Sequence, residues 1–197
     1  MSTTDRRTLI VDAAIDLIAT HGIRALTHRA LDTELDLPAG STSYYFRTKP
    51  ALITAIAARI TTRSREDFVA AQFPATGPID LDNTAHDIAA WLDRLLTERR
   101  HHLIVRHALI IDRLADTDLH AQLANSLFST ERARTLFQAI GAADPAVAAA
   151  DFIAVIEGAV FDRFAGARAD FPTDTPESIN QLAAVLSIYL EAAHAGS

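Results

Sequence analysis

Three observations predict an all-α protein, with a small N-terminal helical domain ahead of a larger helical one. Ala and Leu are abundant, and apolar residues recur at three- and four-residue spacing along nearly the whole chain. No segment alternates apolar and polar residues with the β-branched enrichment of a half-buried strand. Gly and Pro, seven of each, gather at the breaks between periodic segments. With 197 residues, 49% of them hydrophobic, the chain is long enough for one sizeable core or for a small domain plus a larger one.

The first helix is expected over about residues 5–21, with Leu9, Ile10, Ala13, Ala14, Leu17 and Ile18 on one face and Gly22 placed to end it. Thr27 is a good N-cap for a short second helix. Leu26 before it can staple to Leu31, and Ala30, Leu31 and Leu35 supply a buried face. Asp36-Leu37-Pro38 interrupts, and Pro38 is expected in the first turn of a third helix running from about Ala39 to Tyr45. Thr48 then caps a fourth helix, with Pro50 tolerated in its first turn. Carrying Leu52, Ile53, Ile56, Ile60 and Phe68, it runs to about Phe73. PATGP, residues 74–78, reads as a linker. Further helices are expected over about 82–98, 100–115, 118–140, 146–167 and 176–194.

The formal net charge is −7, which by itself disfavours a nucleic-acid partner, but its distribution does not. Residues 1–65 hold nine Lys/Arg against six Asp/Glu, and residues 66–197 hold nine against nineteen. A basic first third on an acidic remainder is expected when one end meets an anion. Cysteine is absent, which excludes disulfides, thiolate metal sites and cysteine nucleophiles. No apolar run reaches the roughly 20 residues of a membrane helix. The N-terminus lacks the apolar core and cleavage site of a secretory signal, so no membrane partner and a cytoplasmic location are expected.

Two helices joined by a tight turn after a first helix match helix-turn-helix geometry, in which the second of the pair enters the major groove. Under that reading the exposed Ser41, Ser43, Tyr44 and Tyr45 have a purpose. Hydroxyls donate to phosphates or base edges, and aromatic rims pack on thymine methyls and sugars. Gly40 permits close backbone approach, and Lys49 opens a helix whose N-terminus favours a phosphate. Phe46 is expected in the core. Tyr45 is equally compatible with core and interface, and Thr27 with cap and phosphate donor.

These residues resemble the DNA-binding domain of the TetR family of bacterial transcriptional regulators. The shared pattern is the Gly22 helix end, Thr27, Arg29 and Ala30, Gly40 in the recognition helix, Tyr44-Tyr45-Phe46 and Lys49. The resemblance implies a helix-turn-helix domain over 1–49 and a helical effector-binding and dimerisation domain over 50–197. By position, Thr27, Arg29, Tyr45 and Lys49 would hold phosphates. Ala39, Gly40, Ser41, Ser43 and Tyr44 would face base edges or nearby backbone, and His28 could do either. Pro38 and Thr42–Ser43 depart from the family's usual Ser and Leu-Tyr, so no operator sequence carries over.

The family also implies a homodimer on the last two helices, a small-molecule effector and a palindromic double-stranded operator. The dimer interface is expected from Phe152, Ile156, Val160 and Phe164 with Leu182, Leu186, Tyr189 and Leu190, because the helix over 146–167 is apolar on more than one face; the alternative is that the chain's own core covers them. An effector pocket is expected among Trp91, Leu95, His107, Ile110, Ile111, Phe128 and Phe161, with Arg106 or Glu157 as a polar contact. His101, His102 and His107 lack the spacing of metal ligands, and HExxH, GxSxG, P-loop and GxGxxG motifs are absent. No metal, no cofactor and no enzymatic activity are therefore expected. The expectation is a ligand-responsive TetR-like regulator, more often repressor than activator; the alternative is an all-helical adaptor or ligand-binding protein without DNA binding.

Overall fold

Capping side chains mark where most helices begin. A computed structural model describes residues 3–71 and 79–195. In chain order these form α1 Thr3–His21, a 3-10 turn Ile23–Ala25, α2 His28–Glu34, α3 Ser41–Tyr45, α4 Lys49–Ala70, α5 Leu81–Glu98, α6 Arg100–Asp112, α7 Thr117–Ala124, α8 Thr130–Ile140, α9 Pro145–Ala165 and α10 Pro176–Ala195. The described residues contain no strand. Thr27, Asp80, Asp116, Ser129 and Asp144 each accept a hydrogen bond from a backbone N–H in the first turn of their helix. Thr48 does the same for Ala51 at the start of α4. Gly22, at φ 79°, closes α1 by donating its N–H to the Ile18 carbonyl.

Two element boundaries differ from expectation. The helix expected over 118–140 is two, α7 and α8. Arg106 is buried and donates from Nε and Nη2 to the carbonyls of Leu123 and Ala124, which ends α7. Ser129 then starts α8. The intervening Leu127 and Phe128 are buried, so their apolar pattern imitates a continuous helix. Pro38 is not in the first turn of α3. It precedes the helix, and its carbonyl accepts from the Ser41 N–H. The expected end of α4 at Phe73 and the linker over 74–78 lie outside the described residues.

The chain divides into two compact units. The first takes the described residues to Phe68 together with His101–Leu127; the second takes those from Val69 to Arg100 and from Phe128 onward. In the first, Ile10, Ala14, Ile15 and Ile18 of α1 pack with Leu31, Phe46 and the Leu52, Ile53, Ile56 and Ile60 face of α4. Val105 and Leu109 of α6 and Leu119 and Leu123 of α7 complete that core. Thus α6 and α7 pack with the N-terminal helices, and the division by packing does not fall at residue 49. On α1, Leu9 is 40% exposed while Val11 and Ile15 are buried, so the inner arc lies slightly round from the expected face.

In the second unit α5 packs on α10 and α8 on α9. Of the residues expected at a dimer interface, Phe152, Ile156, Val160, Leu182, Leu186 and Leu190 are buried within this unit's own core and have no surface left for a partner. Tyr189 is half-buried against Phe137 and Phe152, and its hydroxyl donates to the Ala148 carbonyl. Phe164 is half-buried and stacks edge-on with Phe161. Burying Phe152, Ile156 and Val160 of α9 and Leu182, Leu186 and Leu190 of α10 removes apolar area from water, while Phe161 and Ile188 stay exposed.

Candidate nucleic-acid interface

Helix α3 has only five residues, so its orphan N–H and C=O groups outnumber its internal bonds. Neighbouring side chains satisfy them. After α2, Asp36 adopts φ 49°, and the Leu37 N–H returns to the Asp32 carbonyl at 2.8 Å, closing the tight turn. Gly40, at φ 89°, enters α3 in the left-handed region that glycine adopts without strain. The Asp32 carboxylate is buried and accepts from the Gly40 N–H at 2.7 Å and the Thr42 N–H at 2.8 Å. Burial pushes the Asp32 carboxyl upward, but the hydrogen bonds from Thr42 and Gly40 outweigh it and hold it below the usual carboxylate range. Thr42, fully buried, donates its hydroxyl to the His28 carbonyl at 3.0 Å.

The other end of α3 carries carbonyls, and there the partners are donors. His28 Nε2 donates to the Phe46 carbonyl at 2.7 Å. Arg7 Nη1 donates to the Tyr45 carbonyl at 2.6 Å. A carboxylate at the N-terminal end and donors at the C-terminal end match the sense of the helix dipole.

What this frame presents is Tyr44, 77% exposed and held edge-on by Tyr45 at 5.2 Å between ring centroids. Thr27, Arg29, Ala39, Gly40 and Lys49 are also exposed, whereas His28, Ser41, Ser43 and Tyr45 are half-buried. Not all ten expected contact residues are equally available. The hydroxyls of Ser41 and Ser43 donate to the Pro38 and Gly40 carbonyls and must rotate to donate elsewhere. His28 is engaged with Phe46, and Lys49 Nζ lies 3.3 Å from the Ile23 carbonyl. A groove of about 400 Å³ runs between α2 and the turn, lined by His28, Arg29, Asp32, Thr33, Leu37, Ala39 and Gly40. Arg24 and Arg47, exposed near the two ends of the motif, are cations that sequence spacing does not single out.

Sequence reasoning missed Asp32, Thr42 and Arg7. Asp32 could have been noticed as a carboxylate beside Leu31 in an otherwise apolar-facing turn. Nothing in the spacing shows that Gly40 and Thr42 fold back onto it.

The nine residues expected to line an effector pocket divide between the units. Trp91, Leu95, Phe128, Glu157 and Phe161 belong to the second, and Arg106, His107, Ile110 and Ile111 to the first. Trp91 and Phe128 are brought together, with ring centroids 5.8 Å apart and both rings buried beside the buried Leu95. Phe161 is 43% exposed and Ile111 67%. Arg106 is engaged with the end of α7, and His107 Nδ1 donates to the Leu103 carbonyl. Among the described residues no three His, Cys, Asp or Glu side chains are grouped to hold a metal ion. No single described helix is long and apolar enough to cross a membrane.

Two family models match the chain. Bacterial regulatory proteins, tetR family, matches residues 10–56, and the Tetracyclin repressor-like C-terminal domain matches residues 79–187. The second alone spans more than half the chain, and the protein belongs to the TetR family. It has the fold and both domains of a TetR-family transcriptional regulator. Among solved structures, the multidrug binding protein EbrR complexed with ethidium is 27% identical, with TM-score 0.62 over 93% of this chain and 98% of that one. A TetR-family member from Streptomyces coelicolor A3 is 25% identical, with TM-score 0.66 over 91% and 97%. A transcriptional regulator from Rhodococcus sp. Rha1, at 19% identity and TM-score 0.72 over 96% of each chain, is alike in fold. No curated protein matches the chain.

Proposed function

We propose that the protein is a homodimeric transcriptional repressor that reads a palindromic DNA operator through α3 and is released by a small molecule. The observation that carries this reading is the exposed Tyr44 on a five-residue helix held at both ends, with Arg29 and Lys49 exposed on the elements that flank it. A surface side chain on so short a helix is not needed for folding, and the polar scaffold beneath it fixes its direction. Tyr44, Ala39 and Gly40 would meet base edges or adjacent backbone; Thr27, Arg29 and Lys49 would meet phosphates, with Ser41, Ser43, Tyr45 and His28 contributing after side-chain rotation.

The partner copy is proposed to pack on the outward faces of α9 and α10, not on the residues buried in the second unit's core. Those faces carry Ala154, Gly158, Phe161 and Ala165 on α9 and Ala184 and Ile188 on α10, all exposed. A Cβ added at Gly158 would meet nothing within 4 Å, so a second helix can approach there. Two such copies would present two reading helices for the two halves of a palindrome, about 34–36 Å or a multiple apart. An effector site in the second unit near Trp91 and Phe128 is supported by that unit's aromatic packing and by likeness to a multidrug binding protein. A ligand would release DNA by binding the non-reading arrangement better, by no more than its differential affinity.

The test is in vitro selection of duplexes from a random pool by the full-length protein, with selected sites retested across salt. A palindrome should be enriched, and Tyr44→Ala and Lys49→Ala should both weaken it. Enrichment of no sequence, with weak binding indifferent to both changes, would instead indicate a helical adaptor without DNA binding.

A further inference from the structure

We propose that Arg7, on α1, is a positioning residue for DNA reading: it sets the angle at which α3 presents Tyr44. The proposal rests on the DNA-binding reading above. Asp32 and His28 both belong to α2 and fix α3 relative to that helix alone. Arg7 adds a tie from a different element. Its guanidinium makes two contacts at once. Nη1 donates to the Tyr45 carbonyl at 2.6 Å, and the guanidinium carbon lies 4.2 Å from the centroid of the Phe46 ring. Phe46 is buried in the first unit's core, so the cation is braced against a rigid ring while it holds the last residue of the helix.

Geometry explains why this matters. A helix of five residues is about 7.5 Å long and makes few internal bonds, so it resists rotation about its own axis poorly. Tyr44 and Tyr45 are adjacent, and a turn of the helix that frees the Tyr45 carbonyl swings the Tyr44 ring across the reading surface. Arg7 opposes that turn from the C-terminal end, where a cation also suits the helix dipole. Arg7 itself is exposed, so its replacement leaves the apolar core intact.

A phosphate-binding arginine and a positioning arginine predict different binding curves. Phosphate contacts govern the salt slope and act on all sequences alike, whereas positioning acts on discrimination between sequences. The experiment compares full-length wild type, Arg7→Lys and Arg7→Ala on the selected operator and on an unrelated duplex, each across a salt series, with melting temperatures in parallel. Positioning predicts that Arg7→Ala loses about tenfold in operator affinity, as expected for one charge-assisted hydrogen bond, and that Arg7→Lys, which keeps a cation and a donor, loses less. Binding to the unrelated duplex and the salt slope should stay close to wild type, and the melting temperature should fall only slightly. Two results would overturn the proposal. One is Arg7→Lys behaving as wild type while Arg7→Ala loses about one unit of slope on both duplexes, the mark of a phosphate ligand. The other is an unchanged operator preference in both variants. If wild type itself shows no operator preference, the DNA-binding reading fails first, and the proposal falls with it.

Discussion

Asp32 in the first unit and Asp93 in the second are both buried carboxylates, and they serve opposite ends. Asp32 accepts from the N–H groups of Gly40 and Thr42, and the helix it anchors carries a side chain into solvent. Asp93 accepts from the Asp174 N–H and the Ser178 hydroxyl, and it ties the segment before α10 to the second unit's buried core. Ser178 also accepts from Arg163 Nη2 at 2.6 Å, and Arg163 donates to the Pro172 carbonyl and lies over Phe171. Asp93, Ser178 and Arg163 are all buried, so this network ties α5, α9, α10 and the segment between α9 and α10 into one piece. The same chemistry thus staples a core in one unit and aims a surface in the other. Removing the first should cost stability, and removing the second should cost recognition.

The largest effect is expected from Arg163→Ala. Burial pushes the Arg163 guanidinium below its ordinary value against the pull of Asp93, so its charge is tolerated only by its partners. Its loss removes the cation nearest the buried Asp93, takes away a hydrogen bond from Ser178 and the Pro172 carbonyl, and leaves a cavity. A destabilisation of about 3–5 kcal/mol is expected, read from the denaturant midpoint. Because the network lies wholly in the second unit, operator affinity of the fraction that remains folded should be unaltered. A Tyr44-dependent loss of DNA binding in that fraction would erase the contrast between the two carboxylates.

Asp32→Ala comes next. It orphans two N–H groups that donate to a charge, which costs about 2–4 kcal/mol locally. The expected readout is a fall in operator affinity of at least thirtyfold with a smaller shift in overall melting, because α3 loosens before the core does. Acid gives the same information from another side. The folded-state carboxyl is held below its ordinary value, so its stabilisation is complete above the unfolded value of about 3.9 and disappears as pH falls through the lowered folded value. Wild type and Asp32→Asn should therefore differ by a constant amount between about pH 5 and 8 and converge only as pH falls through the lowered folded value. A gap that persisted in acid would show that the carboxylate charge is not what holds α3.

These two aspartates also show what a sequence hides. Helix starts were legible at Thr27 and Thr48, because a cap is a local event within three residues. The exposure of Tyr44 was legible too, since it has no core position to fill. Contacts eight to ten residues apart, such as Asp32 with Gly40 and Thr42, depend on a turn whose closure carries no periodic signal. The arc of α9 that packs on the protomer's own core was hidden for a different reason. Helix α9 is apolar around most of its circumference, so periodicity does not say which arc meets the protomer's own core. Phe152, Ile156 and Val160 face the protomer's own core, while Ala154, Gly158 and Phe161 are left outside. Likewise Leu127 and Phe128 look helical because they are buried, although they lie in the break between α7 and α8.

The smallest effect gives the finest form of the comparison, since it uses two N-caps of similar structural role. Thr27 accepts from the Ala30 N–H at 3.1 Å at the start of α2, and Asp144 accepts from the Ala146 and Val147 N–H groups at the start of α9. Thr27→Ala and Asp144→Ala should each cost about 1 kcal/mol of stability. Thr27 differs in what the cap leaves over: accepting uses a lone pair, and the hydroxyl proton can still donate to a phosphate at the exposed N-terminal end of α2. So Thr27→Ala should also lower operator affinity severalfold, Thr27→Ser should restore both cap and affinity, and Asp144→Ala should leave affinity unchanged. Matched stability losses with unmatched binding losses would separate holding the helix from touching the DNA. Equal binding losses in the two variants would mean that DNA affinity only reports the fraction folded, and that Thr27 is a cap alone.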